Sequence, residues 1–273
     1  MFSIIIPLYN KELSVKKTIY SVINQSFRDF EVIIVNDGST DNSVKVIETI
    51  DDARIRVIHQ VNQGVSAARN YGIQEAKNQW ISFLDADDLW EVDHLLEIKS
   101  MISKYPKEKF FATSFSYSDN RKVFRYERDT AIFKVENYFK DAIKEHLAWT
   151  SIVVVNKNCF DKAGMFNQVL TRGEDLDLWG RLARFYPLIK SSKITAVYRI
   201  EAENRSDLSF NIKKSRVFNY DFETSTSKEE TGYYVNQVVK ALRGFIIKRE
   251  FRNFSLLFIR HFNYIPLSKL LKK

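Results

Sequence analysis

The sequence predicts an α/β fold, a mostly parallel sheet flanked by helices, and three of its features lead there. Residues 1–90 alternate short apolar runs with amphipathic stretches, polar residues cluster where the apolar runs end, and glycine and proline are scarce, at eight and four in 273 residues. Strand followed by helix, repeated at this spacing, implies parallel pairing through crossover helices. Sheets of that kind bind ligands in the crevice beyond the carboxyl ends of their strands.

Residues 2–7, 31–36, 54–59 and 80–84 each carry four or five apolar or β-branched residues between polar turns, the pattern of strands buried on both faces. Residues 13–25, 41–50 and 65–77 have helical spacing, with Val15, Ile19, Val22 and Ile23 on one face of the first. Beyond residue 107 the pattern loosens. Residues 109–117 and 122–128 are expected to form a hairpin, 149–155 a strand, 174–186 a helix closed by Pro187, and 193–200 a last strand. Residues 204–228 are polar and turn-like, the best position for a boundary.

With 45% hydrophobic and 28% charged residues, disordered, collagen-like and repeat-array classes are excluded. The single Cys159 allows no internal disulfide and favours a reducing compartment. No run reaches the roughly 18 uncharged apolar residues needed to span a bilayer. Residues 2–8 lack the basic lead and small-residue cleavage site of a signal peptide. A cytoplasmic chain is therefore expected, with any membrane contact peripheral.

Charge is unevenly placed. Residues 1–100 hold ten Lys and Arg against fifteen Asp and Glu, which excludes a nucleic-acid surface there. Residues 233–273 hold nine basic residues against Glu250 alone, a tail suited to an anionic surface.

Three polar turns end the first, second and fourth strands: Pro7-Leu8-Tyr9-Asn10, Asn36-Asp37-Gly38-Ser39-Thr40-Asp41 and Asp85-Ala86-Asp87-Asp88. Helix capping, worth about 1 kcal/mol each, explains one carboxylate per turn. Three carboxylates in four residues ask for a cation, and hard oxygen donors suit Mg²⁺ or Mn²⁺ with substrate phosphates in the shell. No Gly-x-Gly-x-x-Gly and no P-loop is present, so a nucleotide would rely on metal rather than on a glycine cradle. On a helical wheel Asp175 heads the apolar face with Leu178, Trp179, Leu182 and Tyr186, whereas Asp177 joins Arg181 and Arg184 on the opposite face. Asp175 is then either a capping group or a buried base with a raised pKa.

Residues 4–10, 35–41, 62–64 with 68–72, 83–88, and Glu174-Asp175 before Leu178-Trp179 together resemble the family-2 inverting glycosyltransferases of GT-A fold. The resemblance covers roughly residues 1–200. It implies a Rossmann-like nucleotide-binding sheet in a catalytic domain at 1–205, with the donor part at about 1–105 and the acceptor part at about 106–205. A helical extension follows at 206–273. Pro7, Leu8, Tyr9 and Asn10 would line the nucleotide pocket, with Glu12 at its rim. Asp37 would meet the uracil with Ser39 beside it, and Arg69 would approach the phosphates or the metal turn. Asp85 and Ala86 would contact the donor, Asp87 would hold Mg²⁺ or Mn²⁺, and Asp175 would be the base. Many relatives carry a His where this chain has Glu201.

The implied reaction transfers a sugar from a nucleotide sugar, expected to be UDP-linked, to a glycan or lipid-linked glycan. A sugar nucleotidyltransferase and a non-catalytic sugar-nucleotide-binding module are the alternatives. Phe251, Phe254, Phe258 and Phe262 fall on one face of a C-terminal helix. Core packing explains that stripe as well as a membrane does. The basic residues around it favour peripheral contact of residues 238–273 with an anionic membrane, at the inner face of the cell membrane.

Overall fold

The computed structural model describes residues 1–123, 131–204, 211–266, 268 and 270. The N-terminal part runs β1 (Phe2–Leu8), α1 (Val15–Ile23), β2 (Phe30–Asp37), α2 (Ser43–Glu48), β3 (Ile55–Gln60), α3 (Val65–Glu75) and β4 (Trp80–Phe83). It continues through β5 (Leu89–Trp90), α4 (His94–Lys104), β6 (Phe110–Tyr117), β7 (Ile132–Lys134), α5 (Tyr138–Asp141), β8 (Val153–Asn156) and α6 (Phe160–Ala163). Then follow α7 (Glu174–Ala183), β9 (Leu188–Tyr198), α8 (Arg216–Asn219), α9 (Lys228–Ile247) and α10 (Phe251–His261).

The strands form one sheet in the order β3-β2-β1-β4-β8-β6-β9-β5, with β7 paired to β9. The first four are parallel; β8 is antiparallel to β4 and to β6, and β9 is parallel to β6. All seven residues of β1 are buried, as its Ile-rich run requires. β2 lies on one side of β1 and β4 on the other, so strand order reverses there and the carboxyl ends of all three open onto one crevice.

Two contacts fix the helices beside that crevice. A Cβ on Gly72 of α3 would stand 2.4 Å from Ile5 Cγ2, so only glycine lets α3 lie this close to β1. Trp179 of α7 is fully buried, its ring centre 6.0 Å from Phe83, 6.2 Å from Phe110 and 5.9 Å from Phe166. That aromatic anchor holds the first turn of α7 at the sheet edge.

Beyond residue 107 the elements differ from expectation. β6 pairs with β8 and β9, and no strand occupies residues 122–123; residues 124–128 of the expected hairpin lie outside the described residues. Residues Thr150–Ile152 form a 3₁₀ turn before β8, and Ser151 there turns its hydroxyl to Asp88. β9 begins at Leu188 rather than 193, and its polar start hides a buried lysine: Lys190 is 1% exposed, its Nζ donating to the Thr113 carbonyl at 2.6 Å.

α9 buries Tyr233, Tyr234, Val238 and Leu242. Its Glu230, fully buried, accepts from Nη2 of Arg184, just past the end of α7, at 2.6 Å. α10 splits the Phe stripe: Phe254 and Phe258 pack on the core, whereas Phe251 and Phe262 are exposed. Among the described residues, no helix is long and apolar enough to cross a membrane.

Candidate active site

The crevice is a cavity of about 360 Å³. Pro7, Leu8 and Tyr9 line it from the end of β1, Asp37 from the end of β2, and Arg69 from α3. Asp85, Ala86 and Asp87 line it from the turn after β4, where the Thr18 hydroxyl of α1 donates to the Ala86 carbonyl at 2.9 Å. Asp85 and Asp87 stand in a turn closed by the Asp88 N–H, which donates to the Asp85 carbonyl at 3.0 Å.

Asn10, Ser39 and Glu12 do not line the cavity; they knit its walls together. Asn10, at φ 51°, accepts from the Thr40 N–H at 2.8 Å through Oδ1 and donates its own N–H to Ser39 Oγ at 3.2 Å. Glu12 Oε2 accepts from the Asn42 N–H at 2.8 Å. Asp37 accepts from Gln60 Nε2 at 2.7 Å, the Gln63 N–H at 2.8 Å and the Gly64 N–H at 2.9 Å. These bonds bring Asn62 and Gly64 to the cavity wall. They also require left-handed backbone at Gly38 (φ +71°) and Gly64 (φ +91°).

Arg69 joins the two acidic sites. Its side chain is 4% exposed; Nη2 donates to Asp85 Oδ1 at 2.7 Å and Nη1 to Glu174 Oε1 at 3.0 Å, with the guanidinium 5.2 Å from the centre of the Phe166 ring. Burial opposes its charge, but Asp85 and Glu174 outweigh that and keep it protonated. Glu174 lines the cavity, whereas Asp175 does not and accepts from the Thr150 hydroxyl at 3.2 Å. Burial, reinforced by the Glu174 charge and opposed by Arg69, pushes the Asp175 carboxyl up to about 6. Asp175 lies inside the first turn of α7, whose N-cap is Gly173, and its Oδ1 accepts from the Leu176 N–H at 2.7 Å.

The carboxylates after β4 divide by environment. Asp88 is 2% exposed and accepts from Ser151 Oγ at 2.7 Å and the Arg199 N–H at 3.2 Å. Burial with Asp85 and Asp87 nearby pushes it well above the usual carboxylate range. Neither Asp87 nor Asp88 caps a helix; Asp93 stands at the N-cap of α4. Asp87 Oδ2 meets Lys11 Nζ at 2.6 Å, and the same ammonium donates to the carbonyls of Glu203 and Asn204. Burial and Asp85 raise the Asp87 pKa, and Lys11 opposes them.

A divalent cation fits this donor set on these terms. Asp85 and Asp87 each give one oxygen to a basic side chain, Asp85 Oδ1 to Arg69 and Asp87 Oδ2 to Lys11, and each has a second carboxylate oxygen, a hard donor of the kind such an ion takes. Among the described residues no group of three His, Cys, Asp or Glu could cage an ion. The fit is to an ion that completes its shell with water and substrate phosphates. Glu201 accepts from Ser118 Oγ and from Arg199 Nε at 3.2 Å, and the Ser118 bond draws its carboxyl down to about 2.

Lys11, Glu174, Arg199 and Asn204 were not singled out by the sequence as cavity residues, yet all line it. Arg199 Nη1 and Arg69 Nε are buried without hydrogen-bond partners among the described residues. Lys11 follows the motif residue Asn10 and Glu174 is itself part of the motif with Asp175, signals that could have found them.

The profile of Glycosyl transferase family 2 matches residues 3–164. The chain is 48% identical over 90 residues to the uncharacterized glycosyltransferase EpsJ of Bacillus subtilis, covering 32% of this chain and 26% of that one. It is 32% identical over 126 residues to glycosyltransferase GlyA of Streptococcus pneumoniae, covering 45% and 18%. These matches span less than two thirds of either relative. In structure it is similar to residues 1–349 of S. aureus TarS in complex with UDP-GlcNAc, with a TM-score of 0.79 at 17% identity over 98% of this chain and 82% of that one, a likeness of fold.

Proposed function

Because the chain belongs to glycosyl transferase family 2 and has the GT-A fold, we propose that it transfers a sugar, hexosyl or N-acetylhexosaminyl, from a nucleotide sugar to a hydroxyl of a glycan or lipid-linked glycan, with inversion. UDP is the favoured carrier, since TarS, similar in fold, was solved with UDP-GlcNAc and with UDP. The observation that supports the reading is Arg69, which pairs with Asp85 in the turn after β4 and with Glu174, the neighbour of a carboxylate of raised pKa, Asp175.

In the proposed reaction the acceptor oxygen bonds to the anomeric carbon as the bond from that carbon to the diphosphate oxygen breaks. Asp175 takes the hydroxyl proton, and no protein nucleophile is needed. Pro7, Leu8, Tyr9 and Asp37 hold the nucleoside, with Asn10, Glu12 and Ser39 fixing the loops that present them. Asp85 and Ala86 meet the donor sugar and ribose, while Lys11, Arg69 and Arg199 offer positive charge to the diphosphate. A Mg²⁺ or Mn²⁺ ion held by Asp87 would supply further charge to the departing diphosphate.

The same reading divides the chain into a catalytic part at 1–205 and an extension at 206–273. It sets the extension at the inner face of the cell membrane, because exposed Ile247, Phe251 and Ile259 lie among Lys248, Arg249, Arg252 and Arg260. The test is nucleoside diphosphate release across a panel of sugar nucleotides, with and without Mg²⁺ or Mn²⁺. Release of pyrophosphate from a nucleoside triphosphate would instead support a nucleotidyltransferase, and tight donor binding without turnover a binding module.

A further inference from the structure

A second cavity, of about 450 Å³, lies on the other side of the first turn of α7. Glu174 of that turn faces the donor-side cavity, whereas Gly173 and Leu176, which bracket Asp175, line the second one. Its opposite wall is one face of α9, with Lys240, Ala241 and Gly244 at helical spacing and Lys248 just beyond. The small side chains of Ala241 and Gly244 keep it open, and a Cβ on Gly244 would meet nothing within 4 Å.

The lining is cationic. Arg172, Arg216, Lys240 and Lys248 contribute to it against one acid, Glu250. Arg216 is the telling member, being 4% exposed. Its Nη1 donates to the Tyr233 hydroxyl at 3.1 Å, and its guanidinium lies over the rings of Tyr233 and Tyr234 at 5.3 and 5.1 Å. Among the described residues no carboxylate lies within ion-pair distance of it. A cation taken from water and given only neutral partners is costly unless an anion arrives. Arg is also the side chain whose planar fork matches phosphate.

We infer that this cavity is a phosphate-binding subsite for the acceptor, so that the group presented to Asp175 belongs to a phosphorylated molecule. The inference rests on the glycosyltransferase reading for the word acceptor; the binding of phosphate does not depend on it. The excess of basic residues over Glu250 fits a phosphate better than a single carboxylate, and the apolar wall of Leu176, Ala241 and Phe245 leaves room for the group that carries the phosphate.

The test is calorimetric titration of the full chain with inorganic phosphate and with glucose 1-phosphate, with and without saturating UDP, and with glucose as the uncharged control. Both phosphates should bind the UDP-saturated protein, and glucose should not. The double variant Lys240→Gln/Lys248→Gln should weaken that binding about fivefold to tenfold, and Arg216→Lys by ~10-fold or more, with UDP binding and far-UV circular dichroism reporting that each variant is folded. No phosphate binding under saturating UDP, or equal affinity in the double variant, would overturn the inference. Binding confined to vesicles of phosphatidic acid, with no response to soluble phosphates, would overturn it too and indicate a membrane contact. Failure of the glycosyltransferase reading has a separate signature: no sugar-nucleotide turnover while phosphate still binds.

Discussion

Lys11 and Asp87, 76 residues apart, form an ion pair of 2.6 Å on the floor of the donor-side cavity, with side chains 12% and 16% exposed. The ammonium therefore stands against the carboxylate that the proposed reaction gives to Mg²⁺ or Mn²⁺. Replacing it should favour the ion: Lys11→Gln is expected to bind Mn²⁺ several-fold more tightly than wild type in the absence of donor, by roughly the worth of one nearby like charge. Electron paramagnetic resonance of free Mn²⁺ reads this without any turnover. Equal or weaker Mn²⁺ affinity in the variant would show that the two cations do not share Asp87.

Asp87→Ala removes the carboxylate itself. Turnover should drop at least ~10²-fold, the usual cost of deleting one electrostatic stabiliser of a transition state. Activity should also vanish in EDTA and return with excess Mg²⁺ or Mn²⁺. Near-normal turnover of the variant, or indifference to EDTA, would refute the assignment.

Asp175 carries a pH signature. A base must be ionised to accept a proton, and burial beside Glu174 holds this group up to about 6. The initial rate at low donor and acceptor concentrations should therefore fall as pH drops through about 6 and level off above it. The same shift acts oppositely on folding: the native carboxyl holds its proton more tightly than the unfolded one, so its contribution to stability diminishes as pH rises from about 4 to 6. Asp175→Asn should reduce turnover ~10² to 10⁴-fold with donor affinity near wild type. Asp177→Asn should leave turnover nearly unchanged, because Asp177 pairs with Arg181 at 2.8 Å on the other face of α7.

Arg69 ties two elements together through its pairs with Asp85 and Glu174. Arg69→Met would leave Asp85 and Glu174 without their shared partner, and loss of one member of a buried ion pair costs about 3 kcal/mol or more. Urea unfolding should show a correspondingly lower midpoint, with Arg69→Lys intermediate because one ammonium cannot serve both carboxylates in the same fork. An unchanged midpoint for the Met variant would mean that the two carboxylates are satisfied without it.

The C-terminal helices should separate into a structural and a peripheral part. Deleting α9 removes Tyr233, Val238 and Leu242 from the core and strands Arg184 without Glu230, so a chain ending at residue 228 should not fold. Phe251→Ser/Phe262→Ser alters only exposed side chains of the terminal helix region and should leave the melting temperature within a few degrees of wild type. Sedimentation with anionic vesicles should weaken in that variant and at high salt. Vesicle binding indifferent to both would refute the membrane reading.

The chain's own pattern determined the parallel core and the place of the donor-side cavity. Runs such as Ile4-Ile5-Ile6 and Val32-Ile33-Ile34-Val35 are buried on both faces, a local requirement that leaves a continuous apolar record. Polar turns after three of those strands then had to face the crevice where strand order reverses. The second half was less legible because its buried polar groups imitate surface. Lys190 and Ser191 lie buried near the start of β9, and Glu230 is hidden in α9. Only the tertiary structure decided that Lys11 meets Asp87, that Arg69 reaches Glu174 across 105 residues, and that Asn10, Glu12 and Ser39 bond across the loops behind the cavity wall. It also decided how the Phe stripe is shared between core and solvent. Contacts of that range depend on which elements the sheet order brings side by side, and helical or strand periodicity carries no record of that order.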